Sequence, residues 1–393
     1  MSSGDRTGKK TDRKADADTR TAQRAQKQVS VFGTNRYLSP EELDSREVWW
    51  RAHYEQLKAR GYLLRPRYSP EWVPSWKHSK KDWVECEDGK RLPFAQIIDA
   101  TRISDGNFVT LKRINQTVHP YEVAIAQYFS SDTLASQAAN HCVPVYEVFA
   151  LDDANDMVVI VMPLLRAYTD PQFDTIGEGV ECVRQLFEGL HYIHKHYVAH
   201  RDCMNRNLML DPSELYPNSF HPMENSLNRD YSGHAKHFTR TQRPPKYYFI
   251  DFGISRRYAP SETDPKEVPI WGGDKEVPEF QDSNEPCNPF PTDVFYIGNA
   301  LKKDFIQTKQ GFEFMQPLVA DMIQEDPAKR PTMDNVVARF DGICRGLSGW
   351  KLRSRVIDKD EDVLERVTRT TSHWARRIGF VTRGVPAIPA PPS

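Results

Sequence analysis

The chain has 393 residues, a formal net charge of -1 at pH 7 and 39% hydrophobic residues. This length accommodates one large two-part domain or two ordinary domains. The near-zero charge gives no overall field that would favour nucleic acid or a membrane surface, so neither partner is expected. The six cysteines are scattered without a Cys-x-x-Cys pair, which argues against a zinc site and a secreted disulfide framework. We therefore expect a cytoplasmic or nuclear protein.

The N-terminal region divides into two predicted segments. Residues 1–35 are rich in Lys and Arg without apolar periodicity and predict a disordered basic arm. A solvated tail is one interpretation of this arm, and a nuclear-localisation or nucleic-acid role is the other. Residues 36–80 predict a helical and aromatic extension, in which a helix runs from an N-cap at Ser39 to about Arg60 and stops at Gly61. The following irregular, Trp-rich stretch is either a site for a protein partner or a segment packed on its own domain.

Strand patterns begin near residue 92. Two β-rich stretches, 97–103 and 108–114, flank Asp105-Gly106 and predict a hairpin. A short helix is expected over 120–129, and strands over 143–151 and 157–162. Beyond Leu165 the chain becomes mainly helical, with an amphipathic run over 179–196. A small β-rich part followed by a larger helical part predicts an α+β fold.

Two later segments interrupt this pattern. Residues 212–246 form a polar insert without periodicity, and we expect it to be poorly ordered. It is interpreted as a surface excursion, with a docking element for a protein partner as the alternative. Residues 346–393 predict a C-terminal extension that ends in a Pro-rich, extended tail.

Residue types suited to phosphoryl transfer stand at three places. Lys112 lies in a predicted strand, and Glu122 lies on the next helix, where it can pair with the lysine. Asp202 and Asn207 belong to the pattern H-R-D-x-x-x-x-N, and Asp251 opens D-F-G at the end of a predicted strand. Phosphoryl transfer needs a carboxylate near the attacking hydroxyl and oxygen ligands for Mg²⁺. The pattern therefore indicates an ATP-Mg²⁺ site.

These two motifs together resemble the eukaryotic protein kinase family over roughly residues 80–345. The resemblance implies a bilobed fold, with a β-rich N-lobe over 81–165 and a helical C-lobe over 166–345. Glu279, in Val277-Pro278-Glu279, stands where the family has A-P-E, and Arg330 matches the arginine that pairs with that glutamate. The aromatic patterns of the 36–80 extension are similar to uncharacterised fungal kinase-like proteins.

The resemblance also implies ATP and Mg²⁺ as cofactors and a protein as substrate. Lys112 would contact the α- and β-phosphates, and Glu122 would orient it. Asp202 would act as the base or orienting group for the substrate hydroxyl. Asn207 and Asp251 would be the Mg²⁺ ligands.

The adenine end and the specificity of the site are also implied by the resemblance. Met162 would guard the adenine pocket, and the Leu165 N–H would donate to adenine. Met204 stands where Ser/Thr kinases place a lysine, whereas Arg206 matches the arginine of many tyrosine kinases and could supply the missing charge. No Gly-x-Gly-x-x-Gly precedes Lys112, and the one glycine available for a phosphate-covering loop is Gly89.

The leading hypothesis is an active ATP-dependent protein kinase that prefers Ser/Thr over Tyr. A pseudokinase scaffold, which binds nucleotide weakly or not at all, is the main alternative, and a kinase-fold enzyme for a small molecule is the third. Ser255, Ser261 and Thr263 are candidate phosphorylation sites in the segment after D-F-G. Cys203 is either a redox-sensitive thiol or a packed one.

Overall fold

The computed structural model describes residues 38–152, 156–281 and 283–391, so the predicted basic arm over 1–35 lies outside the described residues. The protein is a mixed α/β structure with a curled five-stranded sheet, three small sheets and a set of helices. The strands are β1 (Tyr62–Leu64), β2 (Ile97–Arg102), β3 (Phe108–Asn115), β4 (Glu147–Ala150), β5 (Met157–Pro163), β6 (Arg166–Ala167), β7 (Val198–Ala199), β8 (Leu208–Leu210), β9 (Tyr247–Phe249), β10 (Arg256–Arg257), β11 (Lys309–Gln310) and β12 (Ile357–Asp358). The α-helices are α1 (Ser45–Ala52), α2 (Tyr54–Ala59), α3 (Glu122–Phe129), α4 (Asp132–Ala135), α5 (Ile176–Lys195), α6 (Pro289–Leu301), α7 (Gln316–Met322), α8 (Met333–Arg345), α9 (Gly349–Leu352) and α10 (Val363–Thr382).

The five-stranded sheet has the antiparallel order β1-β2-β3-β5-β4. The predicted hairpin around Asp105-Gly106 is confirmed, because β2 pairs with β3 and Gly106 takes a positive φ in the turn. β3 also pairs with β5, so Lys112 lies on an interior strand with Ile97 and Ile160 as its neighbours. The side chain of Lys112 is consequently fixed by strands on both sides.

The N-terminal extension is part of this sheet. Strand β1 pairs with β2, and Trp50 and Leu57 from α1 and α2 are buried in the hydrophobic cluster under the sheet. The single helix predicted from Ser39 is wrong, because the chain forms two helices that are separated at His53. Helix α1 begins later than expected, since Asp44 and Glu47 form a capping box at its start.

Residues 65–96 connect β1 to β2 through four short 3₁₀-helices. The predicted irregular structure is confirmed, and the segment packs on its own domain. Arg67 is fully buried and pairs with Glu47 at 2.8 Å. The Asp88 carboxylate accepts hydrogen bonds from the Trp72 indole and the Ser75 backbone, both at 2.8 Å. These buried polar contacts hold the connection against α1 and the sheet.

A second, larger hydrophobic cluster lies among the helices and includes residues from α3 and the small sheets. Its central helix is α5, which begins at Ile176 rather than at the predicted residue 179. Thr175 and Glu178 form a capping box there, and Glu178 is buried. The two clusters are compatible with a kinase-like fold, whereas the bilobed division and its boundaries stay predictions.

The insert over 212–246 is not poorly ordered, and that prediction is wrong. Leu215, Tyr216 and Phe220 are buried in the larger cluster. The buried Arg240 guanidinium donates to the Tyr168 carbonyl oxygen at 2.8 Å and to the Tyr247 hydroxyl at 2.6 Å. The sequence shows no periodicity because these anchors point to other elements and not to a common face of one helix or strand.

The C-terminal extension contains helix α10, which is tied to the N-terminal end of α5. Arg376 donates to the Asp174 carboxylate at 2.9 and 3.0 Å. The following tail packs closely, since a Cβ on Gly177 would lie 1.9 Å from the Ala387 carbonyl oxygen. Among the described residues, no helix is both long enough and apolar enough to cross a membrane.

Candidate active site

Lys112 lies between two carboxylates. Its ammonium donates to Glu122, on the first turn of α3, and to Asp251 Oδ1 at 2.9 Å. Burial disfavours the charge on Lys112, but Asp251 and Glu122 outweigh that effect and raise its pKa. Burial raises the pKa of Glu122, whereas Lys112 overcomes burial at Asp251 and lowers the pKa of that carboxyl. The Asp251 side chain keeps 44% exposure, so it can face a ligand.

Asp202 and Asn207 lie on one turn between β7 and β8. The Asn207 side-chain amide donates to the Asp202 backbone oxygen and to Asp202 Oδ2, both at 2.8 Å. The turn is held by Asp293 of α6, whose carboxylate accepts hydrogen bonds from the backbone amides of His200 and Arg201 at 2.7 Å each. These bonds support the left-handed φ of 67° at Arg201.

The other oxygen of the Asp202 carboxylate meets a glycine pair. The Gly273 amide donates to Asp202 Oδ1 at 2.8 Å. A Cβ on Gly272 would lie 2.3 Å from the same oxygen, so the neighbouring position also requires glycine. Burial raises the pKa of the Asp202 carboxyl, although the Gly273 hydrogen bond opposes this shift. A raised pKa brings a carboxylate closer to the range useful for proton transfer.

The D-F-G turn is fixed on both of its sides. Phe252 is buried against Phe129 of α3 and the His200 ring, with ring centroids 5.9 and 5.1 Å apart. On the other side of the turn, a His119 ring nitrogen lies 3.0 Å from the Gly253 carbonyl oxygen. Helix α3 and the turn therefore hold Glu122 and Asp251 in register with Lys112.

A cavity of about 350 Å³ opens beside these polar groups. Lys112 and Asp251 lie at its edge, and mostly apolar side chains line the rest, among them Met162, Leu165 and Met209. The Leu165 backbone amide makes no hydrogen bond to any described residue, which leaves it free for a ligand. A largely apolar slot with a few convergent polar groups is typical of a small-molecule site.

The predicted loop glycine, Gly89, does not take part in this cavity. It lies in the 3₁₀-helix Glu87–Gly89, where a Cβ would be 2.0 Å from the Trp83 carbonyl oxygen. Its lack of a side chain therefore serves internal packing. The place of a short glycine-rich turn between β1 and β2 is taken by the whole connection over 65–96.

Met204 and Arg206 lie on the same turn as Asp202. The Met204 backbone amide donates to the Asp202 carbonyl oxygen at 2.8 Å, and among the described residues neither side chain forms a hydrogen bond with the Asp202 carboxylate. Met204 approaches the segment between Asp251 and Glu279, since a Cβ on Gly273 would lie 2.0 Å from Met204 Sδ. Arg206 lies on the short helix Asn205–Asn207, is exposed, and makes no hydrogen bond or ion pair to a described residue. Its guanidinium is free to meet a negatively charged ligand.

The donor set around Asp251 and Asn207 fits a hard cation. Among the described residues no group of three or more His, Cys, Asp or Glu side chains is arranged to hold a metal. Mg²⁺ usually takes one or two protein oxygens together with phosphate oxygens, so the Asp251 carboxylate and the Asn207 amide oxygen suffice with a nucleotide. The Asn207 side-chain N–H₂ group donates to Asp202, so the side-chain oxygen of Asn207 stays available for a metal ion.

Three further sequence predictions have an outcome. The predicted Glu279–Arg330 pair is confirmed, with hydrogen bonds of 2.9 and 2.7 Å. Ser255 is wrong as a phosphorylation site, because it is buried and donates to the His200 carbonyl oxygen. Cys203 is a packed thiol, fully buried under Asp293. Ser261 and Thr263 are exposed and stay candidates.

Sequence reasoning missed two groups of residues around the site. Gly272-Gly273 approaches Asp202, and the only available signal was a glycine pair in the segment before Glu279. The insert contributes Phe220, Pro222 and Met223 to the wall of the cavity, and the sequence carries no signal for that.

No known protein-family model matches the chain. The chain is similar to myosin light chain kinase 3 of Homo sapiens and of Pongo abelii, with 30% identity over 136 residues in each case. The match covers 34% of this chain, and the chain spans only 13% of the length of these relatives. This similarity supports a kinase-like protein in general terms. The resemblance to fungal kinase-like proteins stays a prediction.

Proposed function

We propose that the protein is an ATP-dependent protein kinase that transfers the γ-phosphoryl group of ATP to a Ser or Thr hydroxyl. One observation carries the proposal: Lys112 contacts both Glu122 and Asp251 at the edge of a cavity sized for a ligand. A strand lysine without a functional role would not require two carboxylate partners, one buried and one about half-exposed. This arrangement is suited to holding an ammonium against phosphate oxygens.

Each polar group has a distinct task in the proposed reaction. Lys112, oriented by Glu122, would neutralise the α- and β-phosphates. Asn207 and Asp251 would hold Mg²⁺, which supplies charge stabilisation when bound. The Asp202 carboxylate would orient the substrate hydroxyl and accept its proton as the oxygen–phosphorus bond forms and ADP leaves. The hydrogen bonds from Asn207 and Gly273 support this task, because they fix the carboxylate in one orientation.

The choice of Ser/Thr over Tyr is the finer part of the proposal. Met204 leaves the base without a neighbouring lysine, and the exposed Arg206 is the residue that could supply a positive charge. Phosphoamino-acid analysis of the product decides the matter. Phosphoserine or phosphothreonine is expected, and phosphotyrosine alone contradicts the preference.

A pseudokinase scaffold is the second candidate, favoured by the missing glycine loop over the phosphates. Backbone amides that close on phosphates usually need the freedom of glycine, and the connection over 65–96 offers none at the cavity. The two candidates differ in turnover, so a nucleotide-stabilised protein that transfers no phosphate favours the scaffold.

Asp251→Asn tests the proposal. The wild type should gain thermal stability from ATP and Mg²⁺ together and incorporate radioactive phosphate from [γ-³²P]ATP. Asp251→Asn should lose both responses, because it removes the one carboxylate of the proposed Mg²⁺ site and the negative charge that pairs with Lys112. Asp341→Asn, at an exposed position on α8, is the matched control and should behave like the wild type.

A wild type that neither shifts nor incorporates phosphate, with Asp251→Asn identical to it, contradicts both nucleotide binding and catalysis. A stability shift that persists in Asp251→Asn contradicts the assigned metal ligand only.

A further inference from the structure

The insert closes one side of the cavity that holds Lys112 and Asp251. Its residues 220–229, here called the gate segment, contribute Phe220, Pro222 and Met223 to the cavity wall. Met223 also packs against the hydrophobic cluster of the five-stranded sheet. The gate segment therefore spans from the helical part of the protein to the sheet above the cavity.

A buried ion cluster ties the gate segment to the sheet. Asp99 of β2, with a side-chain exposure of 2%, accepts from Arg65 Nε at 3.0 Å and from Arg229 Nη2 at 2.6 Å. The Arg229 guanidinium also lies 4.0 Å from the centre of the Phe108 ring. One carboxylate thus joins an arginine of the connection over 65–96 to an arginine of the gate segment.

Two further contacts link the gate segment to the connection over 65–96. A His221 ring nitrogen lies 3.2 Å from Glu87 Oε1, and Glu87 in turn pairs with Arg65 at 3.2 Å. At the rim, Lys90 pairs with Glu224 at 2.7 Å. The connection that replaces a glycine loop and the insert are therefore joined by charged groups.

The gate segment is also attached to strand β6. Arg166 donates to the Asn225 carbonyl oxygen at 2.9 Å, and its guanidinium lies over the Tyr216 and Phe220 rings at 4.5 and 4.6 Å. None of these contacts involves a residue of the five-stranded sheet. Arg166 therefore holds the gate segment independently of the bond between Arg229 and Asp99.

We propose that the gate segment is a nucleotide gate, which moves away from the sheet to admit ATP and to release ADP. This inference rests on the proposed function. A cavity of about 350 Å³ is near the lower end of the ~300–1,000 Å³ typical of ligand sites, so a nucleoside triphosphate leaves little clearance. Exchange of a ligand that fills its site is faster when a wall can move, and among the described residues the gate segment makes no main-chain hydrogen bond to the five-stranded sheet.

The ion cluster limits the free-energy cost of such a movement. When Arg229 leaves, Asp99 keeps Arg65 as its partner, so no uncompensated buried charge is created. Removing the only partner of a buried carboxylate would be far more costly. In the closed state Asp99 therefore pairs with both arginines, and in the open state it pairs with Arg65 alone.

Stopped-flow kinetics with a fluorescent N-methylanthraniloyl ADP analogue test the gate. Arg229→Gln removes the ion pair with Asp99 and leaves Arg65 in place. We expect both the association and the dissociation rate constants to rise about tenfold relative to wild type, equivalent to ~1.4 kcal/mol off the barrier. The equilibrium dissociation constant should change much less, because both rates move together.

Arg243→Gln is the matched control. Arg243 lies in the same insert, is exposed, and its nearest carboxylate, Glu214, is 4.0 Å away. It contacts no residue of the sheet, so both rate constants should stay at the wild-type values. If Arg229→Gln does not fold by circular dichroism, Glu224→Gln, which removes the pair with Lys90 outside the cavity wall, replaces it, and a rise in both rate constants is again expected.

The outcomes separate the gate from the proposed function. Nucleotide binding with equal rate constants in wild type and in the folded gate variant overturns the gate alone. Binding by the variant but not by the wild type supports a gate that is closed at rest. No binding by any of the proteins overturns the gate and the proposed function together.

Discussion

Arg330 is a buried residue whose loss should strongly destabilise the helical part of the protein. Its side chain has 0% exposure, and its guanidinium forms two hydrogen bonds with Glu279, itself 9% exposed. It also donates to the backbone oxygens of Gln324, Pro291 and Glu325 at 2.8, 3.1 and 3.3 Å. Arg330 thus joins the segment before α6 to the loop before α8.

The size of the stability loss follows from the contacts that remain around Glu279 in Arg330→Met. The Glu279 carboxylate would stay buried with a single hydrogen bond, the one from Thr292 Oγ1 at 2.7 Å. Breaking a buried ion pair by removing one partner costs about 3–5 kcal/mol. That is a large share of the ~5–15 kcal/mol by which a typical domain is stable. We therefore expect Arg330→Met to be severely destabilised at neutral pH.

Urea denaturation of purified variants measures this loss. Lys329→Met is the control, since Lys329 is 70% exposed and lies 3.8 Å from Asp326, and such a surface pair contributes less than ~1 kcal/mol. The double variant Glu279→Gln/Arg330→Met should recover part of the loss, because it no longer buries an unpaired charge. A loss below ~1 kcal/mol in Arg330→Met, or strictly additive effects in the double variant, contradicts this reasoning.

The same pair predicts a pH dependence with a definite sign. Burial opposes the charge on Glu279, but Arg330 and Thr292 outweigh it and lower its pKa below the ordinary 4.5. A carboxyl with a lowered folded-state pKa contributes stability that is present above pH 4.5 and is lost as the pH falls through the folded-state value. The difference in unfolding free energy between wild type and Arg330→Met should therefore shrink on acidification below pH 4.5.

Two predictions concern the base of the proposed reaction. Burial raises the pKa of Asp202, so the acid limb of the pH profile of kcat/KM should lie above that of an ordinary aspartate, and Asp202→Asn should lower kcat by ~10²–10⁴ and remove that limb. A profile with the limb still present in Asp202→Asn contradicts the assignment. Gly272→Ala should displace the Asp202 carboxylate, because its Cβ would lie 2.3 Å from Oδ1, and lower kcat about 100-fold with little change in the KM for ATP. Gly349→Ala, where a Cβ meets nothing within 4 Å, is the control, and equal kcat values in the two variants contradict a positioning role for Gly272.

The parts of the fold that local pattern determines could be predicted from the sequence. The β2–β3 hairpin follows from Asp105-Gly106 between alternating apolar residues, and the short helix α3 was expected within two residues of its observed start. The pairing of Glu279 with Arg330, across a separation of 51 residues, was expected because the resemblance to the protein kinase family implies it. The resemblance thus carried long-range information that local propensity alone does not.

Features determined by contacts between distant, unpatterned segments could not be predicted. The burial of the insert depends on Arg166 and Arg240, and each finds its partners on other elements. Arg229 meets Asp99 across 130 residues, and neither residue belongs to a recognisable motif. The break of the first helix at His53 could not be predicted either, because packing against the sheet overrides a continuous helical pattern.

The absent glycine loop and the long insert looked like two separate departures from a protein kinase, and each favoured the pseudokinase. Their contacts make them one feature. The connection over 65–96 supplies Arg65 and Glu87, the insert supplies Arg229 and His221, and the four side chains meet around Asp99 beside the cavity. A chain that had merely lost its phosphate-covering loop would have no reason to bury a charged cluster at that place, because such clusters are costly to desolvate. The two departures are therefore a single piece of evidence. They favour a cavity wall that serves a ligand over a site that has lost its function. What remains in favour of the pseudokinase is Met204, a single position beside Asp202, whose carboxylate keeps its hydrogen bonds to Asn207 and Gly273.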